Sequence, residues 1–158
     1  MNRQVPFAIE ASVTYSGAWG DRSVRYWHQA PHYWRAEQDG RVILMSCDDG
    51  WVSHDEASWP VRWLAWPDGV RRQAGAGLAR PDGHAVTFLG RQATRHDLDP
   101  HGTMTVDDET GFVLELRGNE RHLVTETFTT ATDALDPALF GEEALDTSWE
   151  GSYSGHLP

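Results

Sequence analysis

Lysine is absent from this 158-residue sequence, and all 13 of its basic residues are arginine. A complete lack of lysine points to a GC-rich coding bias rather than to a function. The 24 acidic residues outnumber the arginines and give a net charge of −11. Because nucleic acids and anionic bilayers bind basic surfaces, this balance argues against nucleic-acid binding and against adhesion to such bilayers.

Cysteine and long apolar runs are also scarce. The single cysteine, Cys47, excludes an intramolecular disulfide, and its apolar surroundings predict a small core residue. No apolar run approaches the ~20 residues of a membrane span. The start, MNRQVPFAIEASVTY, has no apolar leader and no lipobox cysteine. We therefore expect a cytoplasmic protein, or one of the cell envelope if an export signal has been removed.

Helical periodicity is rare, whereas alternation of apolar and polar residues is widespread. Between Phe7 and Tyr15 every second residue is apolar, which is typical of a strand with one buried face. Turn signals recur every 8–12 residues and predict about nine to eleven short strands. Residues 70–79 have a weak helical tendency, and Asp136 to Phe140 predicts one helical turn with proline at its first position. We expect a single all-β domain over residues 1–140 and an acidic, loosely ordered tail over residues 141–158.

The most distinctive stretch is GRQATRHDLDPHGTMTVDDETGFVLELR, residues 90–117. It predicts three short strands, 92–98, 103–106 and 112–116, joined by two turns. Earlier in the chain, YWRAEQDGRVILMSCDDGWVSHD predicts an aromatic-arginine strand, an Asp-Gly hairpin and an acidic-glycine turn followed by tryptophan. DPALF follows the last long strand. In this order, over residues 8–140, these motifs resemble the half-open β-barrel superfamily of lipoprotein carriers and lipid-binding lipoproteins (the LolA, LppX and RseB group).

The resemblance implies a strongly curved antiparallel sheet, a half-open β-barrel, with one or two short helical segments. Its concave face would hold a lipid or another apolar small molecule. The helices that close the mouth of the barrel in this superfamily would be reduced here to residues 70–79 and 136–140. The candidate ligand-binding residues are the inward-facing apolar side chains Ile9, Ala11, Val13, Trp34, Leu44, Trp63, Phe88, Phe112 and Leu114.

Tryptophan is concentrated in one part of the chain, since five of the eight lie between Trp34 and Trp66. This density is typical of an aromatic-lined pocket, and equally of the packed core of a curved sheet. The segment Trp59–Trp66 has apolar residues on both faces of one predicted strand. Such a strand is either fully buried or presents an apolar patch to a protein partner.

The residues that could bind a metal or act in catalysis form no specific motif. The eight histidines show no metal-ligand spacing, so no metal site and no cofactor are predicted. His96-Asp97 with Asp99, or His54-Asp55-Glu56, could act as an acid–base group, but polar clusters at strand ends are ordinary turn chemistry. We assign no catalytic residue.

Three functions stay open at this point. The first is a binding or carrier protein for an apolar small molecule or lipid. The second is a barrel-type cyclase or isomerase that acts on an apolar metabolite, which would require a buried histidine or carboxylate in the cavity. The third is an inhibitor-like or immunity-like interaction protein with a filled core. The resemblance to the half-open β-barrel superfamily, together with the abundance of aromatic residues, favours the binding protein.

Overall fold

The computed structural model describes residues 8–17, 20–29, 33–47, 50–53, 83–98, 101–118, 122–141 and 153–155. These residues form strands and a single 3-10 turn, Pro137–Phe140, so the predicted all-β fold class is confirmed. The strands are β1 (Ala8–Gly17), β2 (Gly20–Gln29), β3 (Tyr33–Gln38), β4 (Arg41–Cys47), β5 (Gly50–Ser53), β6 (His84–Phe88), β7 (Arg91–Asp97), β8 (Thr103–Asp107), β9 (Val113–Arg117), β10 (His122–Ala131) and β11 (Tyr153–Gly155).

The strands are hydrogen-bonded in the order β11-β5-β4-β3-β2-β1-β10-β9-β8-β7-β6. Pairing between neighbours is antiparallel along both ends of this order, from β11 to β2 and from β10 to β6. Within the described residues the order has two ends, so the sheet is not closed into a barrel. Along the same residues, no helix is long and apolar enough to cross a membrane.

The chain divides into two compact units. The first comprises Met1–Ser12, Ser23–Arg62 and Thr127–Pro158, and the second comprises Val13–Arg22 and Trp63–Glu126. Strand β1 confirms the alternation expected from the sequence, because its apolar residues from Ile9 to Tyr15 are at most 3% exposed while Glu10, Ser12 and Thr14 are half-buried. The burial of one face accounts for the period-2 pattern.

In the first unit, the register of β2, β3 and β4 separates an apolar face from a more polar one. Tyr26 lies opposite Ala36, which lies opposite Leu44, and all three side chains are fully buried. Arg35 and Glu37 alternate with these residues and occupy the other face of β3. A bulge between Ala36 and Glu37 shifts the register to β4 by one residue.

The 3-10 turn packs on the polar face of β3 in this unit. Asp136 caps the turn by accepting a hydrogen bond from the Ala138 backbone N–H at 3.0 Å, and Pro137 begins it. Arg35 donates to the Leu139 carbonyl at 2.9 Å, and Tyr33 contacts Phe140 with ring centroids 5.5 Å apart. The helical turn predicted at this position is confirmed.

In the second unit, β6 to β9 and the part of β10 up to Glu126 form a meander whose apolar residues align across the strands. Met104 pairs with Leu116, which pairs with Leu123, and all three are at most 6% exposed. A second bulge, between Thr105 and Val106, inserts one extra residue into β9.

Two hairpins have nearly the same turn geometry but different residues. In the β3–β4 hairpin, Asp39 and Gly40 have φ of 52° and 75°; in the β6–β7 hairpin, Leu89 and Gly90 have φ of 50° and 73°. Positive φ at both central residues is the signature of type I′ turns, which favour Asn-Gly and Asp-Gly. The sequence predicts the first turn from its Asp-Gly pair. The Leu89-Gly90 pair carries no such turn signal, yet the strand ends at Phe88 and Leu89 lies in the turn.

Several expectations concern residues outside the described part of the chain. The aromatic segment Trp59–Trp66 and the weak helical tendency of residues 70–79 both lie there, as does the side chain of Cys47. Within the predicted tail, Tyr153–Gly155 forms β11 and pairs with β5. The tail boundary at residue 140 stays a prediction.

Gly102 is a position that only glycine can occupy. Its φ is 138°, and an added Cβ would lie 2.2 Å from the Arg117 carbonyl oxygen. We expect Gly102→Ala to lower the free energy of unfolding by about 2 kcal/mol or more, measured by urea denaturation. Gly40→Ala is the matched control, because its φ is also positive but its Cβ would meet open space, and about 1 kcal/mol is expected there. Equal losses in the two variants would contradict the backbone clash.

Candidate functional site

Seven of the nine predicted ligand-binding residues are buried, at 4% exposure or less: Ile9, Ala11, Val13, Trp34, Leu44, Phe112 and Leu114. Phe88 is half-buried, and Trp63 lies outside the described residues. Ile9, Ala11, Trp34 and Leu44 belong to the first unit, and Val13, Phe88, Phe112 and Leu114 belong to the second. Their role in ligand binding stays a prediction.

Trp34 is the largest candidate side chain that the structure describes. It stacks on His28, with ring centroids 3.9 Å apart and an angle of 22° between the planes. The His28 Nδ1 lies 2.9 Å from the Tyr33 carbonyl oxygen, which fixes the imidazole beneath the indole. Trp34 therefore has a defined orientation on the apolar face of β3.

Trp27 has a different environment, although it is also buried. It lies opposite Arg35 in the β2–β3 register, whereas Trp34 lies opposite His28, so the two indoles occupy opposite faces. The guanidinium groups of Arg25 and Arg35 lie 4.5 and 5.6 Å from the Trp27 ring centroid. These cation–π contacts place Trp27 on the polar face.

The strongest polar cluster in the second unit is centred on Asp107, at the end of β8. Its side chain is 1% exposed. One carboxylate oxygen accepts from Arg91 Nε at 2.7 Å, and the other accepts from Arg91 at 3.2 Å, from the Thr110 hydroxyl at 2.7 Å and from the Thr110 N–H at 2.9 Å. Arg91 also donates to Glu109. Four hydrogen bonds therefore compensate the burial of this charge.

The pKa values of Asp107 and Arg91 reflect two opposing effects, the burial of the Asp107 charge and the hydrogen bonds that stabilise it. Burial by itself would raise the pKa of Asp107, but the hydrogen bonds from Arg91 and Thr110 outweigh it and hold the pKa below its ordinary value. The hydrogen bond to Asp107 in turn raises the pKa of Arg91. Asp107 is therefore an ionised anchor for the turn that follows β8.

The same cluster forms one side of an open depression of about 440 Å³. It lies between the β6–β7 hairpin tip and the turn after β8, and its lining residues are Gly90, Arg91, Gln92, Asp107, Asp108 and Glu109. Glu109 is 72% exposed. Three carboxylates and one arginine line the depression, so its rim is acidic.

A second buried carboxylate, Glu115, lies in the middle of β9. One oxygen accepts from Arg95 of β7 at 3.3 Å, and the other accepts from Arg117 of β9 at 2.9 Å. Arg95 also donates to the Thr105 hydroxyl at 3.1 Å. The hydrogen bond that Arg117 donates to Glu115 raises the pKa of Arg117. The arrangement is a cross-strand ion-pair network that joins three strands.

The candidate acid–base residues are only partly described. His96 and Asp97 lie on β7, with His96 opposite Met104 and Asp97 opposite Thr103, on opposite faces of the strand. Asp99 and the group His54-Asp55-Glu56 lie outside the described residues. Within the described ranges, no group of three or more histidine, cysteine, aspartate or glutamate side chains is placed to hold a metal ion.

Sequence reasoning did not single out Asp107, Glu115 or Leu89. The signal for Asp107 is its spacing to Thr110 in the DDETG turn, which suits an aspartate that accepts from a backbone N–H three residues later. The signal for Leu89 is the Leu-Gly pair at a position where hairpins favour Asn-Gly or Asp-Gly. Glu115 carries no local signal for its burial, because Arg95, its partner on β7, is identified only by the strand register.

No protein-family model matches this chain, and no curated protein matches it. Solved structures similar to it include a MucA/MucB complex of Pseudomonas aeruginosa, MucB in complex with MucA(peri), and MucB alone. They are 17, 14 and 18% identical over 91, 87 and 93% of this chain, with TM-scores of 0.47, 0.46 and 0.45. The chain spans 58, 55 and 58% of the length of the matched chains. A likeness of this degree concerns the strand arrangement alone, and it carries no conclusion on the family or on what this chain binds.

The Asp107 ion pair predicts a pH-dependent stability. Because the folded-state pKa of Asp107 is lowered, its contribution is fully present above the unfolded-state value near ~4 and is lost as the pH falls through the folded-state value. We expect D107N to reduce the free energy of unfolding by about 2 kcal/mol at neutral pH, with the difference from wild type narrowing as the pH falls below ~4.

Chemical denaturation across this pH range measures the effect. E109Q is the control, because Glu109 is largely exposed and its loss should cost about 1 kcal/mol or less. A difference between D107N and wild type that is the same at all pH values would show that shape rather than charge makes Asp107 important.

Proposed function

We propose that this protein is a non-enzymatic binding protein that holds a lipid or another apolar small molecule against the apolar face of its β-sheet. The observation that carries the proposal is the oriented indole of Trp34 on the apolar face of β3, where it stacks on His28. The register of β2, β3 and β4 places this indole on the same face as the buried apolar side chains of Tyr26, Ala36 and Leu44. Such a face is the surface that an apolar ligand needs.

The face around Trp34 has features that suit a ligand site. An oriented indole offers a large apolar surface at little cost in conformational entropy, and Ala36 on the same face of β3 leaves the neighbouring position small. Affinity would come mainly from removing apolar surface from water, at about 25 cal/mol per Å² before ordering costs. This chemistry selects for apolar area rather than for a particular headgroup.

The described residues support a binding role better than catalysis. Their buried histidine and carboxylate side chains are His28, Asp107 and Glu115. His28 stacks on Trp34 and hydrogen-bonds to the Tyr33 carbonyl, and the two carboxylates are held by arginines. Each of these groups has a structural partner, and no observation favours the cyclase or isomerase alternative.

Matched tryptophan substitutions test the proposal. Native mass spectrometry of the gently purified protein should show an apolar adduct, or the protein should bind a fluorescent fatty acid. Trp34→Phe should then weaken fatty-acid binding about tenfold, which corresponds to ~1.4 kcal/mol. Trp27→Phe, the same change on the opposite face of the same strand pair, should leave the affinity unchanged.

Both variants should lose a similar amount of thermal stability, since both indoles are buried. A protein without an adduct that also fails to bind the fatty acid would contradict the proposal. Equal weakening in the two variants would assign Trp34 to the core rather than to a ligand site.

A further inference from the structure

Leu89 combines two unfavourable features at the tip of the β6–β7 hairpin. It is 46% exposed, and it is the one exposed large hydrophobic residue among the described positions. Its φ of 50° lies in the left-handed region, which residues other than glycine, asparagine and aspartate adopt at a cost. An aspartate or asparagine would suit both the turn and the solvent better.

Another hairpin of the same protein shows which residue this turn accepts. The β3–β4 hairpin has φ values within 2° of those at Leu89 and Gly90, and it places Asp39 where the β6–β7 hairpin has Leu89. The fold therefore does not require leucine for this turn. A contact between the Leu89 side chain and another molecule would explain why a leucine occupies this position.

The surroundings of Leu89 indicate what such a contact would look like. The hairpin tip borders the depression lined by Asp107, Asp108 and Glu109, where Arg91 is the one cation in the lining. On the β6 side, half-buried Phe88 lies opposite Arg91 and extends the apolar surface. The rim thus joins an apolar tip to an acidic surface, on a chain with a net charge of −11.

We infer that the hairpin tip and this depression form a docking surface for a basic segment of a partner protein, with an apolar side chain of the partner packed on Leu89. Charge complementarity favours arginine or lysine next to that apolar residue. A small ligand is less suited to this surface, because small-molecule sites enclose most of the ligand, whereas this depression is open and Leu89 only adjoins it through Gly90. The acidic rim also disfavours an anionic bilayer.

Fluorescence anisotropy with a short labelled peptide that alternates arginine and leucine tests the inference. We expect the wild-type protein to bind it, and Leu89→Asn to weaken binding at least tenfold. The melting temperature of Leu89→Asn should stay the same or rise, because asparagine adopts positive φ more readily. Asp39→Asn, at the equivalent position of the other hairpin, should bind as wild type does.

Glu109→Gln is the second variant, since Glu109 is exposed and its removal leaves the Arg91–Asp107 pair in place. It should weaken binding about threefold and reduce the salt dependence. Failure of the peptide to bind, equal binding by Leu89→Asn, or equal binding of a peptide with glutamate in place of arginine would overturn the inference. Self-association that Leu89→Asn abolishes, or binding to phosphatidylcholine vesicles instead of the peptide, would also overturn it by assigning another occupant.

These outcomes are separate from those of the fatty-acid experiment. The inference depends on residues of the β6–β7 hairpin and the turn after β8, whereas the proposed ligand site is tested at Trp34 on β3. Leu89→Asn should leave fatty-acid binding unchanged, and Trp34→Phe should leave peptide binding unchanged.

Discussion

The buried carboxylate of Asp107 is the interaction on which the second unit most depends. It ends β8, and its hydrogen bonds reach back to Arg91 at the start of β7 and forward to Thr110 in the next turn. A charge with 1% exposure is tolerated only when its oxygens are satisfied. Because these partners belong to neighbouring elements, satisfying the charge also fixes the β7–β8 register and the direction in which the chain enters β9.

The buried carboxylate of Glu115, on the next strand, β9, is also stabilised by hydrogen bonds to both of its oxygens. Its two oxygens are divided between Arg95 and Arg117, which ties β7 to β9 across β8. Both networks use the planar, branched donor set of arginine, which can serve more than one acceptor. In a chain without lysine, every side-chain cation other than histidine has this capacity. The ion pairs therefore fix the strand register of the meander as well as stabilising it.

The first unit is organised by aromatic and apolar contacts instead. His28 and Trp34 stack on one face of the β2–β3 pair, while Trp27 is covered by guanidinium groups on the other. Arg35 connects this pair to the 3-10 turn through the Leu139 carbonyl. The first unit therefore combines an apolar face with an opposite face held by directional contacts.

The amino-acid sequence by itself determined most of the secondary structure of the described chain, because alternation and turn residues are local signals. The strands of β1 and β4, the Asp39-Gly40 turn and the proline-initiated turn at Pro137 all lie where the pattern predicts them. Only the tertiary structure decided which polar residues are buried. The burial of Asp107 depends on Arg91, 16 residues away, and that of Glu115 depends on Arg95, 20 residues away. The strain at Leu89 also could not be predicted, because a leucine that follows Phe88 is typical of a strand. Only the pairing of β6 with β7 places Leu89 in the turn, at positive φ.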